Sequence, residues 1–302
     1  MMNTLSFRGS IPDADAPDTS FFGLPLKGMP GRKGSFWITD LDGTFLDRKT
    51  YSPAWALPSL RRALNKGIQV AFCSSKTPAE QQHLQSFLEI RVPFITENGS
   101  ALYLPTEQFP SPPPLFEQKG DWYFRPLGQT HPEISTLLHR LEEEQDWNLG
   151  RMSRMPLSEL RDRTGLEENA ALRARTRLYS ETLTAPLSPE KQETINRFLQ
   201  KHGLQMECGG RFYTVYDRRC DKGRACRLLK SILEERHGPL LTLGIGDSAN
   251  DRRMLEAVDF PVLVQKTDGS HEKMDIPNLT RIPAIGPLGW QKMANEWLKA
   301  ML

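Results

Sequence analysis

The chain has 302 residues, of which 38% are hydrophobic and 25% charged, the composition of a protein that buries one or two cores; collagen, coiled coil and wholesale disorder are excluded. Its 39 Lys and Arg against 37 Asp and Glu leave a formal charge of +2, too near neutral to argue for a nucleic-acid groove or an anionic membrane surface as partner. No apolar run approaches the roughly 20 residues that cross a bilayer, and no basic start leads into an apolar stretch, which points to the cytoplasm.

Residues 1–34 contain four prolines and five glycines with no apolar periodicity and read as a flexible leader. Phe36-Trp37-Ile38-Thr39 is a short buried-strand pattern that ends abruptly at Asp40-Leu41-Asp42-Gly43-Thr44. A helix with Leu60, Ala63 and Leu64 inward follows, with Pro58 in its first turn and Gly67 as its stop. Gln69 to Cys73 is a second strand. Thr77-Pro78-Ala79-Glu80 reads as a capping box opening another helix, and Val92 to Thr96 as a third strand. The alternation then stops, and the stiff Pro110-Ser111-Pro112-Pro113-Pro114 spacer suggests a boundary. From about 120 to 216 the order changes: a strand at Trp122 to Arg125, helices near 132–145, 157–163 and 167–174, a strand at Leu178 to Leu183, a helix from Ser188-Pro189, and two strands around Gly209-Gly210. The strand and helix alternation resumes at Asp221, with Leu240 to Ile245 and Phe260 to Val264 as further strands. A last helix carries Trp290, Met293, Ala294 and Trp297 on one side, expected to pack on its own domain.

This order predicts an α/β protein, a Rossmann-like doubly wound parallel sheet core with an inserted α+β domain. The expected parts are the leader (1–34), the first part of the core (35–108), the insertion (109–216) and the second part of the core (217–302). Cys73, Cys208, Cys220 and Cys226 form no pattern of a disulfide framework or structural zinc site and read as reduced thiols.

Cleaving a phosphate ester requires an in-line nucleophile, neutralised equatorial oxygens and a proton for the departing alkoxide. Asp40 and Asp42 lie at a strand end, where Gly43-Thr44 lets the chain bend away, and two acids so close need a cation or a shared proton. Asp247, at the end of another strand, is expected to join them. Hard oxygen ligands with open positions suit Mg²⁺, held by the Asp40 carboxylate, the Asp42 backbone carbonyl and Asp247. Asp251 is expected behind this shell, holding Lys222 or a metal-bound water. Ser74, ahead of the helix capped at Thr77, and Lys222, at a helix start, are expected to meet the phosphate. Each motif alone has an ordinary explanation as a turn or a cap. All of them on one edge of one sheet do not.

DLDGT (40–44), the Ser of CSSKT (73–77), the Lys of DKGRA (221–225) and GDSAND (246–251) resemble the four ordered motifs of the haloacid dehalogenase superfamily of phosphohydrolases. ENGSAL (97–102) is similar to its subgroup with a large cap between the second and third motifs. CSSKTPAEQ, TGLEENAALRARTRLYSET and GGRFYTVYDRRCDKGRA further resemble the mannosyl-3-phosphoglycerate phosphatase family, whose usual SEP is Ser180-Glu181-Thr182 here. The resemblance implies that Asp40 is the nucleophile forming an aspartyl-phosphate and that Asp42 protonates the leaving alkoxide and then activates water. It further implies that Ser74 and Lys222 bind the phosphoryl group and that Mg²⁺ sits on Asp40, Asp42 and Asp247.

The implied substrate is a small phosphorylated glycoside, mannosyl- or glucosyl-3-phosphoglycerate, whose hydrolysis yields the glycosylglycerate compatible solute. Its carboxylate and sugar hydroxyls call for polar partners in the insertion, and Arg177, Glu181 and Arg211 are the candidates. Closure of the insertion about 110–114 and 217–220 is expected. A phosphatase of another sugar phosphate such as sucrose 6-phosphate, a sugar phosphomutase and a non-catalytic phosphosugar sensor are the alternatives, the last disfavoured because Asp40, Asp42, Lys222 and Asp247 are all present.

Overall fold

The computed structural model describes residues 34–209 and 211–301. The expected leader therefore lies outside the described residues except for Gly34, as does Gly210 of the expected turn. The fold is α/β. Its elements are β1 (Gly34–Thr39), α1 (Leu57–Asn65), β2 (Gln69–Cys73), α2 (Pro78–Leu88), β3 (Phe94–Thr96), β4 (Ala101–Pro105), β5 (Glu117–Lys119) and β6 (Trp122–Pro126). There follow α3 (His131–Gln145), α4 (Leu157–Thr164), α5 (Glu168–Arg175), β7 (Ser180–Leu183), α6 (Pro189–Lys201), β8 (Leu204–Cys208) and β9 (Tyr213–Asp217). The chain ends with α7 (Lys222–His237), β10 (Leu240–Gly246), α8 (Arg252–Leu255), β11 (Phe260–Gln265), β12 (Thr280–Ile285) and α9 (Gly286–Ala300).

The core is a nine-stranded sheet in the order β12-β11-β10-β1-β2-β3-β4-β6-β5. It is parallel from β12 to β3 and antiparallel from β3 to β5. Successive residues of β1 feed opposite faces: Trp37 packs with α1 and α9, while Phe36 and Ile38 pack with α7 and α8. Burial on both sides is why β1 reads as an unbroken apolar run. The aromatic side of α9 is consumed here, with Trp290 and Trp297 edge-on to Trp37 at centroid distances of 5.9 and 6.2 Å.

The insertion has its own three-stranded antiparallel sheet, β7-β9-β8. Its strands pack on α3 and α6 through Ile134, Leu138, Ile195, Leu199 and Val215. One expectation is corrected. The strand at 122–126 pairs with β4 in the core sheet, so the proline spacer is a loop between two core strands and not a hinge. The chain leaves the core after Pro126 and re-enters it after Asp217. The two crossings touch, because Asp217 accepts the backbone amide of Gln129 at 3.0 Å and a Cβ on Gly128 would lie 2.6 Å from that of Asp217. Asp217 is also held by Arg219 Nη2 at 2.7 Å.

Candidate active site

β1 and β10 are neighbours in parallel register, Thr39 opposite Ile245, so Asp40 and Asp247 leave the sheet together at its carboxyl edge. The Asp40 amide continues the ladder to the Ile245 carbonyl at 2.9 Å. Gly43 permits the close approach: its φ is +90°, and a Cβ there would stand 2.8 Å from Asp247 Oδ2. Thr44 donates to Asp247 Oδ1 at 3.3 Å.

Carboxylate oxygens of Asp40, Asp247 and Asp251 lie within 4.8 Å of one another, and all three residues are buried. Lys222, the first residue of α7, places Nζ 2.7 Å from both Asp40 Oδ1 and Asp251 Oδ1. The other Asp251 oxygen accepts the amides of Asp247 and Ser248 at 3.0 and 3.1 Å, so this residue ties the lysine to the loop after β10. Burial, with the Asp251 carboxylate next, pushes the Asp40 carboxyl up to about 8 against the pull of Lys222. Burial and Asp251 likewise raise Asp247 to about 6, opposed by Arg48. Lys222 itself is held well above its ordinary value: burial works against its charge, but Asp251 and Asp40 outweigh it.

More negative charge is gathered here than one lysine offsets, which is the chemistry of a divalent-cation site. Arg48 supplies a second sign of this. Its Nη1 donates to the Asp42 carbonyl at 3.0 Å and stands 3.8 Å from Asp247 Oδ2, so a cationic group already bridges two of the expected ligands. The residues present therefore fit a divalent metal.

Asp42 is part-buried, with Oδ2 3.0 Å from Lys76 Nζ and Oδ1 buried without a hydrogen-bond partner. Ser74 directly follows β2, the other neighbour of β1; it is buried, and its Oγ accepts the Lys76 amide at 3.3 Å. The capping box expected at Thr77 and Glu80 is formed. Between core and insertion lies a cavity of about 130 Å³, lined by Ser75, Asn98, Arg177, Thr182, Glu207 and Asn250 among others. Three of these present buried polar atoms without partners: Asn98 Oδ1, Arg177 Nε and Thr182 Oγ1. Burial raises the Glu207 carboxyl, which accepts from Tyr216 Oη at 2.9 Å. A larger cavity of about 290 Å³ lies at the opposite end of the sheet, beside Gly67, Gln69 and His237, and holds none of the expected residues.

Of the candidates in the insertion, Arg177 reaches the cavity, anchored by Ser180 Oγ at 2.8 Å. Glu181 and Arg211 are corrections. Alternation along β7 sends Thr182 into the cavity and Glu181 to the other side, where it is fully buried with His131 Nε2 at 3.2 Å and the Ser153 hydroxyl. Arg211 is exposed, donates to the Arg163 carbonyl at 2.6 Å and covers the Phe212 ring. Three residues not singled out in the sequence belong to the region: Lys76, Glu97 and Glu207. Glu97, fully buried in the turn after β3, accepts Leu178 N at 2.9 Å, Tyr179 N at 3.1 Å and Ser180 Oγ at 2.5 Å from the insertion. Its signal was the run Glu97-Asn98-Gly99, whose left-handed backbone turns β3 back into β4.

Residues 37–109 match the family described as haloacid dehalogenase-like hydrolase. The glucosyl-3-phosphoglycerate/mannosyl-3-phosphoglycerate phosphatase of Persephonella marina is 32% identical over 257 residues, covering 84% of this chain and 94% of its own. The mannosyl-3-phosphoglycerate phosphatase of Pyrococcus furiosus is 35% identical, covering 82% and 96%. Among solved structures, a Thermoplasma acidophilum protein superposes with a TM-score of 0.62 at 17% identity over 88% of this chain and 98% of its own, a likeness of fold. The chain is a phosphoric monoester hydrolase, and it belongs to the haloacid dehalogenase-like hydrolases, in the family of the mannosyl-3-phosphoglycerate phosphatases.

Proposed function

We propose that this enzyme removes the phosphate of mannosyl-3-phosphoglycerate or glucosyl-3-phosphoglycerate through an aspartyl-phosphate on Asp40, with Mg²⁺ as the metal. The carrying observation is the meeting of Asp40, Asp247 and Asp251 around Lys222, four residues from three separate stretches of sequence. A bound Mg²⁺, held by the Asp40 and Asp247 carboxylates and the Asp42 carbonyl, supplies positive charge to the phosphoryl oxygens.

Asp40 attacks phosphorus in line with the leaving oxygen, and its carboxylate becomes the acyl phosphate. Lys222 and Ser74 hold the equatorial oxygens, the lysine as a point charge already aimed at the nucleophile. Asp42 gives a proton to the departing alkoxide and takes one from the water that cleaves the acyl phosphate. Asp251 keeps Lys222 in place.

The substrate class rests on the relatives' names and on the cavity. Arg177, part-buried with a buried and unpartnered Nε, suits the glycerate carboxylate, and Asn98, Thr182 and Glu207 suit sugar hydroxyls. We place the reaction in the cytoplasm, with no nucleic-acid or membrane partner; no helix among the described residues is long and apolar enough to cross a membrane. The decisive assay measures phosphate release with Mg²⁺ from mannosyl- and glucosyl-3-phosphoglycerate, sucrose 6-phosphate and hexose phosphates. Preference for the first two, lost in Asp40→Asn, is the expected result. A clear preference for a hexose phosphate or sucrose 6-phosphate overturns the substrate assignment, and interconversion of isomers without phosphate release overturns the reaction.

A further inference from the structure

The Asp42 carboxylate sits on a loop two residues beyond β1, and its orientation comes from another element. Its Oδ2 meets Lys76 Nζ at 3.0 Å, and its Oδ1 is buried with no hydrogen-bond partner. Lys76 belongs to the segment that joins β2 to α2, and it is fixed from both ends. Its carbonyl accepts Thr96 Oγ1 at 2.5 Å and Glu97 N at 3.1 Å, and its amide donates to Ser74 Oγ at 3.3 Å. At the far end, Nζ lies 3.6 Å from Glu80 Oε1 and 4.9 Å from the centre of the Tyr51 ring, with the side chain only 16% exposed. Glu80 is itself immobilised, because its Oε2 accepts the Thr77 amide at 2.9 Å in the capping box of α2.

We propose that Lys76 is a positioning residue that fixes the Asp42 carboxylate by Oδ2, so that Oδ1 carries the proton exchanged with the leaving group and with water. The inference rests on Asp42 being the acid and base of the proposed reaction. An ammonium group has three donors and no acceptor, so an oxygen bonded to it stays an acceptor and the proton belongs on the other oxygen. The bare, buried Oδ1 is that other oxygen. In the first half-reaction the Oδ1–H bond breaks as the alkoxide O–H bond forms, while the ester P–O bond breaks and the bond from Asp40 to phosphorus forms. In the second, a water proton passes to Oδ1 as the water oxygen attacks phosphorus and Asp40 leaves. Both steps balance without another reactant. General acid catalysis works only when the proton-bearing oxygen lies within about 2.6–3.2 Å of its target. A carboxylate free to rotate about its side-chain bonds meets that requirement a fraction of the time.

The test exploits leaving groups. An alkyl phosphate such as glycerol 3-phosphate needs its alkoxide protonated; p-nitrophenyl phosphate releases a stable phenolate. The quantity read is the kcat/KM of the first divided by that of the second, with Mg²⁺ in the full-length enzyme. Lys76→Met, similar in length but uncharged, is expected to lower this ratio about 10- to 100-fold, because a misplaced acid forfeits much of its effect. Lys76→Gln, whose amide still donates, should lose less. Asp42→Asn should lower the ratio at least as far as Lys76→Met. If Lys76→Met lowers both activities equally, or the ratio holds, the lysine does not position the acid. A loss confined to 3-phosphoglycerate and absent with glycerol 3-phosphate also overturns the inference, since Lys76 would then be reading a substrate carboxylate. If Asp42→Asn leaves the ratio unchanged, Asp42 is not the acid and the inference falls with that assignment. Should Lys76→Met fold poorly by thermal denaturation, Lys76→Gln and Lys76→Arg carry the comparison.

Discussion

The Glu97 carboxylate, on the core side of the cleft, accepts the backbone amide of Tyr179 from the inserted side at 3.1 Å. Leu178 N and Ser180 Oγ complete the grip. Each buried donor left without an acceptor costs about 1–3 kcal/mol, so Glu97→Ala should lose several kcal/mol and Glu97→Gln, which keeps one acceptor oxygen, about 1–2. Urea unfolding measures both. Arg177 shares this segment, so the substrate KM should rise in Glu97→Gln more than kcat falls.

Asp40→Asn should be inactive yet stable. The folded protein holds the Asp40 carboxyl up to about 8, so its ionised form is a burden on the fold near neutral pH. The amide removes that charge while keeping the shape. Phosphate release should drop at least about a thousandfold, as when other nucleophiles are removed. The melting temperature should hold or rise; a fall of more than about 4 °C speaks against the stored charge.

Metal affinity and pH should be linked in a definite direction. Asp247 is raised from 3.8 to about 6, so the folded chain binds a proton that the unfolded chain has already released. Metal-free stability should therefore decline as pH rises from about 4 to 6. A divalent cation binds the deprotonated carboxylates, so the rise in melting temperature on adding Mg²⁺ should be larger at pH 7.5 than at pH 5. Calorimetry with EDTA and with Mg²⁺ at both pH values decides it, and an equal shift at both would count against this account.

Gly99→Ala should be far more damaging than Gly120→Ala, although both glycines have positive φ. At Gly99 (φ +96°) a Cβ would lie 2.3 Å from the Asp221 carbonyl, and at Gly120 (φ +58°) it meets nothing. The second change carries only the left-handed penalty of about 1–2 kcal/mol. The first must also shift the start of α7, where Lys222 sits, and a displacement near 1 Å can cost about a hundredfold in rate. Melting temperature and kcat, measured for the pair, separate the two effects.

Much of this was legible in the chain because strong local signals agreed. β2 spans the expected Gln69–Cys73, α2 begins on the expected cap, and α9 buries the expected tryptophans. β12 was hidden by its position at the sheet edge, where Pro283 is tolerated and alternate residues face outward. β4 was missed although Asn98-Gly99 is a common turn dipeptide, because the reversal takes three consecutive left-handed residues, Glu97, Asn98 and Gly99, where a two-residue hairpin turn would be the usual pattern. In the site, the acids and Lys222 were readable because strand ends and helix starts fix their placement. Glu181 was misplaced by one residue of β alternation, Arg211 was read from its motif alone, Lys76 depends on Asp42, a partner distant in sequence, and Glu207 carries no motif and lines the cavity only through the pairing of β8 with β9.

The clasp of Asp217 on the Gln129 amide brings the entry and exit of the inserted domain to one point. A segment whose two ends meet can be exchanged as a unit. Replacing 129–217 with a tight turn would bridge adjacent backbone and spare the residues of the sheet, the acidic cluster and Lys222, but it would strip the buried Glu97 of its partners Leu178, Tyr179 and Ser180. Under the proposed function, the groups that cleave the ester and the arginine that would read the glycerate then sit on separable lengths of chain, joined at one point.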